Sequence, residues 1–304
     1  MLARTVRRLA LVLLPLSLVL AEAGAIEPFR VLGQTNAPGL RVRTAANLES
    51  TTLGNLPEGV RIEIVDVTAQ PMTIGSHTAR WYMIQPLPGG TEPAGWSYGA
   101  FIDIEPAGQL ALAIWNNRVE LLREILLSGL DPNIPLVEDG LVFTEYDEYE
   151  YRSAPIVEAV RAGNPDTVLA LLEAGADPDL AYVLGEPGGS ARATSLMVAV
   201  ESGSETIVGQ LLRWGADPDH VESMFGGGGD RFEVTALSRA ITAGNLNMVH
   251  LLLESGADPN HLLVYRSILR GNRTLKSPLD LAVEAESSAI AALIRSYGGE
   301  PASE

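Results

Sequence analysis

Side chains able to do chemistry are plentiful in this chain, but few stand at the spacings that chemistry requires. The four histidines, His77, His220, His250 and His261, share no metal-ligand spacing, and neither H-E-x-x-H nor G-x-S-x-G occurs. Cysteine is absent, which removes disulfides, thiol chemistry, cysteine-ligated zinc and any cysteine-anchored lipid. Asp258-Pro259-Asn260-His261 brings ligand types together, yet Asp-Pro recurs at Asp131-Pro132 and Asp177-Pro178 as a turn without histidine beside it. Gly226 to Gly229 precede no Gly-Lys-Ser/Thr and so form no phosphate loop. Asn272-Arg273-Thr274 fits a glycosylation acceptor and is given no role. Carboxylates are abundant, but the sequence sets no pair of them in a cleft. A non-enzyme is expected, with no cofactor, no metal and no catalytic residue.

Contact chemistry is better represented. With 38 acidic and 21 basic side chains the formal charge is −17, which repels phosphate backbones and argues against nucleic acid as a partner. Acids cluster in one stretch as Glu138, Asp139, Glu145, Asp147, Glu148 and Glu150, interleaved with Phe143, Tyr146, Tyr149 and Tyr151. Acid beside exposed tyrosine suits a protein partner with a basic surface. The same stretch also reads as a solvated charge run with its aromatics folded inward. A second stretch is opposite in sign, with Arg266, Arg270, Arg273 and Lys276. Opposite charges at two ends would orient a partner; solubility alone would also account for them.

The elements that must position these groups fall into three segments. Residues 1–25 read as a signal peptide: Arg4, Arg7 and Arg8 precede an apolar run from Leu9 to Leu20, and Ala21-Glu22-Ala23 or Ala23-Gly24-Ala25 fits the cleavage pattern. Twelve helical residues span about 18 Å, short of the ~30 Å hydrocarbon core, so no membrane span is expected once the signal is removed. A periplasmic or secreted location follows.

Residues 26–105 show a period of two. Leu40 and Val42 alternate with Arg41 and Arg43, Val60, Ile62 and Ile64 with Arg61 and Glu63, and Trp81 and Met83 with Tyr82 and Ile84. Turn clusters at Pro38-Gly39, Pro57-Glu58-Gly59 and Pro88-Gly89-Gly90 separate these runs, which predict a small all-β barrel. The succession Leu40-Arg41-Val42-Arg43, Leu53-Gly54-Asn55-Leu56-Pro57-Glu58-Gly59, Trp81-Tyr82-Met83-Ile84 and Gly95-Trp96-Ser97 resembles a bacterial SH3-like (SH3b) domain. That resemblance implies an SH3-like barrel and admits peptidoglycan or another envelope structure as ligand. It departs from the family in Thr44-Ala45-Ala46, where Ser-Gly-Pro is usual, and in an enlarged hairpin from Gln70 to Ala79. Trp81, Tyr82, Trp96, Tyr98 and Phe101 either line a groove or fill the core.

Residues 106–300 are an array. Ala154-Pro155-Ile156-Val157-Glu158-Ala159 returns as Thr194-Ser195-Leu196-Met197-Val198-Ala199, Thr235-Ala236-Leu237-Ser238-Arg239-Ala240 and Ser277-Pro278-Leu279-Asp280-Leu281-Ala282. Each leads to a Leu-rich helix, and three of those helices end in Gly-Ala-Asp-Pro, at Gly175, Gly215 and Gly256. Gly163, Gly203 and Gly244 suit the left-handed residue that ends the first helix of each pair, and Asn164-Pro165 supplies a cap and a first-turn proline for the second. One such pair buries too little apolar surface to offset the entropy of ordering it, so neighbours must stack. These units resemble ankyrin repeats, as five copies at about 107–133, 153–179, 194–219, 235–260 and 277–299, lacking the signature histidine. Spacings of 46, 40, 41 and 42 residues between closing glycines exceed the roughly 33 of the family. The excess falls in the connecting finger loops.

The expected fold is therefore multidomain: an SH3-like barrel followed by an all-α ankyrin-repeat solenoid with long finger loops. The ankyrin resemblance implies a binding face built from the first helix of each copy, carrying Leu112, Trp115, Asn116, Glu158, Arg161, Val198, Glu201, Arg239 and Thr242. With Tyr146, Tyr149, Tyr151, Arg266 and Arg270 from the fingers, these are the candidate partner-binding residues. Trp115 is either the chief anchor or a packing residue at the Pro106-Ala107-Gly108 joint. The functional expectation is an exported protein-binding module, in concrete form an inhibitor or immunity protein for a secreted toxin or envelope enzyme. The competing class is a wall or envelope binder acting through the SH3-like domain.

Overall fold

The computed structural model describes residues 31–137, 152–183, 192–225, 230–267 and 272–302, in two compact units divided between Asp177 and Pro178.

In the unit ending at Asp177, period-two alternation becomes a sheet of seven strands. These are β1 (Val31–Thr35), β2 (Leu40–Arg43), β3 (Thr52–Leu56), β4 (Arg61–Val67), β7 (Trp81–Pro86), β8 (Gly95–Tyr98) and β9 (Ile102–Ile104), with a small hairpin of β5 (Met72–Ile74) and β6 (His77–Ala79) beside them. The order β3-β2-β8-β7-β4-β1-β9 leaves β3 and β9 as ends, so the sheet is open where a barrel is predicted. Alternation fixes which face is buried, and it says nothing about whether the outermost strands meet. The core is formed by Val42, Leu56, Ile62, Ile64, Val67, Trp81 and Ile84, all nearly inaccessible.

The buried set in β7 is Trp81 and Ile84, not Trp81 and Met83. The register against β4 shifts between Ile64, which opposes Ile84, and Asp66, which opposes Met83, so Val65 is an extra residue that moves the buried phase of β4 from Ile62 and Ile64 to Val67. Trp81 and Tyr98 are core residues with rings 5.6 Å apart, and the Tyr98 hydroxyl lies 2.7 Å from the Met72 carbonyl oxygen and 2.6 Å from that of His77. Two of the five groove candidates therefore fill the interior.

Helices α1 (Pro106–Trp115), α2 (Val119–Leu127), α3 (Pro155–Ala162) and α4 (Pro165–Glu173) complete this unit. α1 packs on α3 and α2 on α4. The first pair is also tied to the sheet, because Arg118 meets the Asp66 carboxylate at 3.0 Å and the Val67 carbonyl at 3.1 Å, and Arg80 pairs with Glu124. The local signals act as the sequence indicates: Gly163 is left-handed at φ 72°, and the Asn164 side chain accepts from the Asp166 N–H at 2.9 Å. A short hairpin joins β10 (Leu136–Val137) to β11 (Arg152–Ser153).

The other unit opens with a second short hairpin, β12 (Tyr182–Val183) and β13 (Arg192–Ala193). Its three helix pairs are α5 (Ser195–Ser202) with α6 (Glu205–Arg213), α7 (Ala236–Thr242) with α8 (Leu246–Glu254), and α9 (Pro278–Glu284) with α10 (Ser288–Ser296). First helices α5, α7 and α9 pack in one layer and second helices α6, α8 and α10 in another. Leu196, Leu211, Leu237, Leu252 and Ile294 fill the space between them. Thr235 and Ser277 close capping boxes on α7 and α9, and the Thr194 hydroxyl caps α5.

This array is not all-α. The segments expected as finger loops form β14 (Glu222–Phe225), β15 (Arg231–Val234), β16 (Leu263–Ser267) and β17 (Asn272–Lys276), one antiparallel sheet in that order. Alternation in Arg231-Phe232-Glu233-Val234 and Leu263-Val264-Tyr265-Arg266 is the local reason. Successive turns are joined by the second residue after each aspartate of Asp-Pro. Asn133 accepts from the Asp177 N–H at 2.8 Å, Asp179 from Asp217 at 3.0 Å, Asp219 from Asp258 at 2.9 Å and Asn260 from Glu300 at 2.8 Å. Among the described residues no helix is long and apolar enough to cross a membrane.

Candidate interaction face

Each unit buries charge where its first helices meet its hairpins. In the unit ending at Asp177 the charge is Glu158, the fourth residue of α3, with its side chain 6% exposed. The Ser153 hydroxyl of β11 donates to its Oε1 at 2.7 Å, and the Trp115 indole N–H of α1 donates to its Oε2 at 3.3 Å. Arg161 Nε lies 4.0 Å from the same carboxylate, one turn along the helix. Three elements are thus clasped by one side chain. Asn116 is half-buried, its amide donating back to the Leu112 carbonyl at 3.1 Å. Leu112 is only 2% exposed, so it belongs to the core and not to the face on which the sequence sets it.

In the unit beginning at Pro178 the fourth residue of the helix α7 is Arg239, a cation in place of the acid. Its Nε stands 3.4 Å from Glu201 Oε1, at the end of α5, and the two side chains are 13% and 23% exposed. Neither Nε nor Nη2 of Arg239 makes a hydrogen bond among the described residues. The compensating charge is spread over two carboxylates. Glu222, opening β14, is buried and accepts from the Thr194 N–H at 3.1 Å. Burial pushes its carboxyl up to about 7; the Thr194 N–H and Arg239 counteract this, and Glu201 adds to it. Glu201 is itself raised by burial, against the pull of Arg239.

The cluster continues into the hairpin sheet. Tyr265 of β16 stacks on Phe232 of β15 with centroids 6.3 Å apart and planes 8° from parallel. Lys276 Nζ sits 4.9 Å above the Tyr265 ring and 2.6 Å from Glu284 of α9. Burial, reinforced by Glu284 and partly offset by Arg239, pushes the Tyr265 hydroxyl up to about 12. Glu201, Glu222, Arg239, Tyr265, Lys276 and Glu284 thus form one connected charge cluster.

Glu158, Arg161, Trp115 and Asn116 come together in one unit, and Glu201 and Arg239 in the other. Arg266 is exposed on β16. Tyr146, Tyr149, Tyr151 and Arg270 lie outside the described residues. Sequence reasoning missed Glu222 and Tyr265, which reach Arg239 only through the hairpin register. The alternation of β16 is the advance signal for Tyr265. Among the described residues no group of three or more His, Asp or Glu is placed to hold a metal. The arrangement offers fixed charges and hydrogen-bonding groups, which suit recognition.

A family model described as ankyrin repeats (3 copies) matches residues 156–262 and 196–303. The chain therefore carries ankyrin repeats, which are typically non-enzymatic modules of protein–protein interaction. The matched residues do not include the seven-stranded sheet. No curated protein matches the chain.

Proposed function

We propose that this protein is an exported binding module that holds a protein partner with a basic surface, in the manner of an inhibitor or immunity protein for a secreted toxin or envelope enzyme. Residues 1–25 would direct export to the periplasm or beyond, 26–105 would form an SH3-like domain, and 106–300 would supply five repeats. The observation that carries the reading is the run of ankyrin repeats, whose first helices present Glu201 and Arg161 beside the hairpins. The formal charge of −17 adds long-range attraction for a cationic protein.

The test is to cross-link the full-length protein in a periplasmic extract, isolate the partner and measure its affinity. Glu201→Lys and Arg161→Glu should weaken binding by about tenfold while leaving the melting temperature of the variant within a few degrees, and raising salt should slow association. Cosedimentation of the full chain with purified peptidoglycan, with no protein partner captured, would replace this reading with wall binding.

A further inference from the structure

The hairpin sheet of the unit beginning at Pro178 has two faces of different chemistry. Phe232, Tyr265 and Lys276 stand on one face, held by the stacking, the cation–π contact and the Lys276–Glu284 pair. Alternation puts Ser223, Arg231, Glu233, Val264, Arg266 and Arg273 on the opposite face. The register there is unusual. Arg231 is directly opposite Arg266, and Arg266 is directly opposite Arg273. Three guanidinium-bearing residues are therefore in line across three adjacent strands, spanning about 10 Å at the usual strand spacing.

Like charges directly opposite one another destabilise a sheet. All three arginines are exposed, so the folding of the core does not require them. The protein has acid to spare, yet among the described residues Arg266 and Arg273 form no ion pair. Among the described strand residues of this face the one carboxylate is Glu233, and it is turned to the main chain, its Oε2 accepting from the Val264 N–H at 3.0 Å. Arg231 donates to Ser223 Oγ at 2.8 Å, which fixes the direction of the first guanidinium. Arg231, Glu233, Val264 and Arg266 border a shallow hollow of about 120 Å³. Repulsion along the row is relieved when carboxylates from elsewhere lie between the guanidinium groups, each of which offers a bidentate fork.

We infer that the Arg231–Arg266–Arg273 row is a docking surface for an acidic polypeptide segment of a protein partner. This goes beyond the repeat-based binding already proposed, because it assigns a second surface with the opposite charge preference. A basic partner held at the first helices, if it also carries an acidic segment, would then be gripped at two points of opposite sign.

The experiment uses the full-length protein and a fluorescein-labelled decaglutamate peptide, read by fluorescence anisotropy at low salt. The combined Arg266→Glu and Arg273→Glu variant should weaken the peptide by about tenfold or more, whereas Arg213→Glu, an exposed arginine on α6, should change it less than about twofold. Arg266→Glu alone should also raise the thermal midpoint, because it puts an acid between two arginines, and this readout does not depend on the double variant folding. The inference is overturned if Arg213→Glu weakens the peptide as much as the row variants do, or if Arg266→Glu lowers the midpoint and leaves peptide binding unchanged. It is also overturned if phosphatidylserine vesicles or a short single-stranded oligonucleotide bind the row more tightly than the peptide. Failure here leaves the first-helix reading standing, since none of these variants touches Glu201 or Arg161.

Discussion

At the same position of a first helix, one unit buries Glu158 and the other buries Arg239. Glu158 is satisfied locally: a hydroxyl and an indole N–H each take one of its oxygens, and a guanidinium lies nearby. Arg239 is balanced at longer range by Glu201 and Glu222, and two of its nitrogens lack hydrogen bonds among the described residues. A buried charge closed by directed hydrogen bonds acts as a clasp and fixes geometry. A buried charge balanced by carboxylates that themselves resist ionisation leaves the local field dependent on pH. The repeat scaffold accepts either because hydrophobic layers, not these charges, hold the helices together.

The largest test of the comparison concerns those layers. Leu171→Ala in α4 and Leu252→Ala in α8 remove side chains that are completely buried, and each should cost about 2–5 kcal/mol. Hydrogen exchange should show each loss concentrated in the variant's own unit. Equal loss across both units would break the division at Asp177.

The next effect is set by proton linkage. The Glu222 carboxyl is raised from its ordinary 4.5 to about 7 in the folded protein, so the folded state holds the proton more tightly than the unfolded chain. Stability associated with this group is therefore full below about pH 4.5 and is lost as pH rises through about 7, by roughly 3 kcal/mol in all. Glu222→Gln keeps an acceptor for the Thr194 N–H and removes the titration. It should stabilise the protein at pH 8 by up to about 3 kcal/mol and be nearly neutral at pH 4.5, as read from urea midpoints at the two pH values.

The smallest effect sharpens the comparison at the turns. Asn260→Ala deletes hydrogen bonds to the Gly298 carbonyl at 3.0 Å and the Glu300 N–H at 2.8 Å, both exposed, and should cost about 0.5–1.5 kcal/mol. Asn133→Ala removes the matching bonds to Gly175 and Asp177 in the other unit and should cost the same. Unequal losses would show that the turns are not interchangeable.

Much of this architecture is legible in the sequence because its signals are local. Gly163 and Gly203, Asn164-Pro165 and the Leu-rich runs each act within one turn of chain, and all fall where helix ends are found. The extra residue at Val65 is not legible, since a bulge shows only against its partner strand. The open sheet is a second such case, because closure depends on how far curvature accumulates over seven strands. The candidate face was half legible. Glu201 and Arg239 follow from the resemblance to ankyrin repeats, but Glu222 joins them through a hairpin whose register no short motif declares. The arginine row has the same origin: Arg266 and Arg273 stand out as basic residues of one finger, while Arg231, 35 residues before Arg266, enters only through strand pairing.

The Asp and Asn side chains that bridge successive turns have a genealogical consequence. In the unit beginning at Pro178, each bridge is a side-chain oxygen at the equivalent turn position, of Asp179, Asp219 or Asn260, accepting from a main-chain N–H of the following turn. Both ends of a copy therefore carry the same connector. A duplicated or deleted copy would find its neighbour already equipped to receive it, so the length of the array can change by whole copies without new chemistry at the seam.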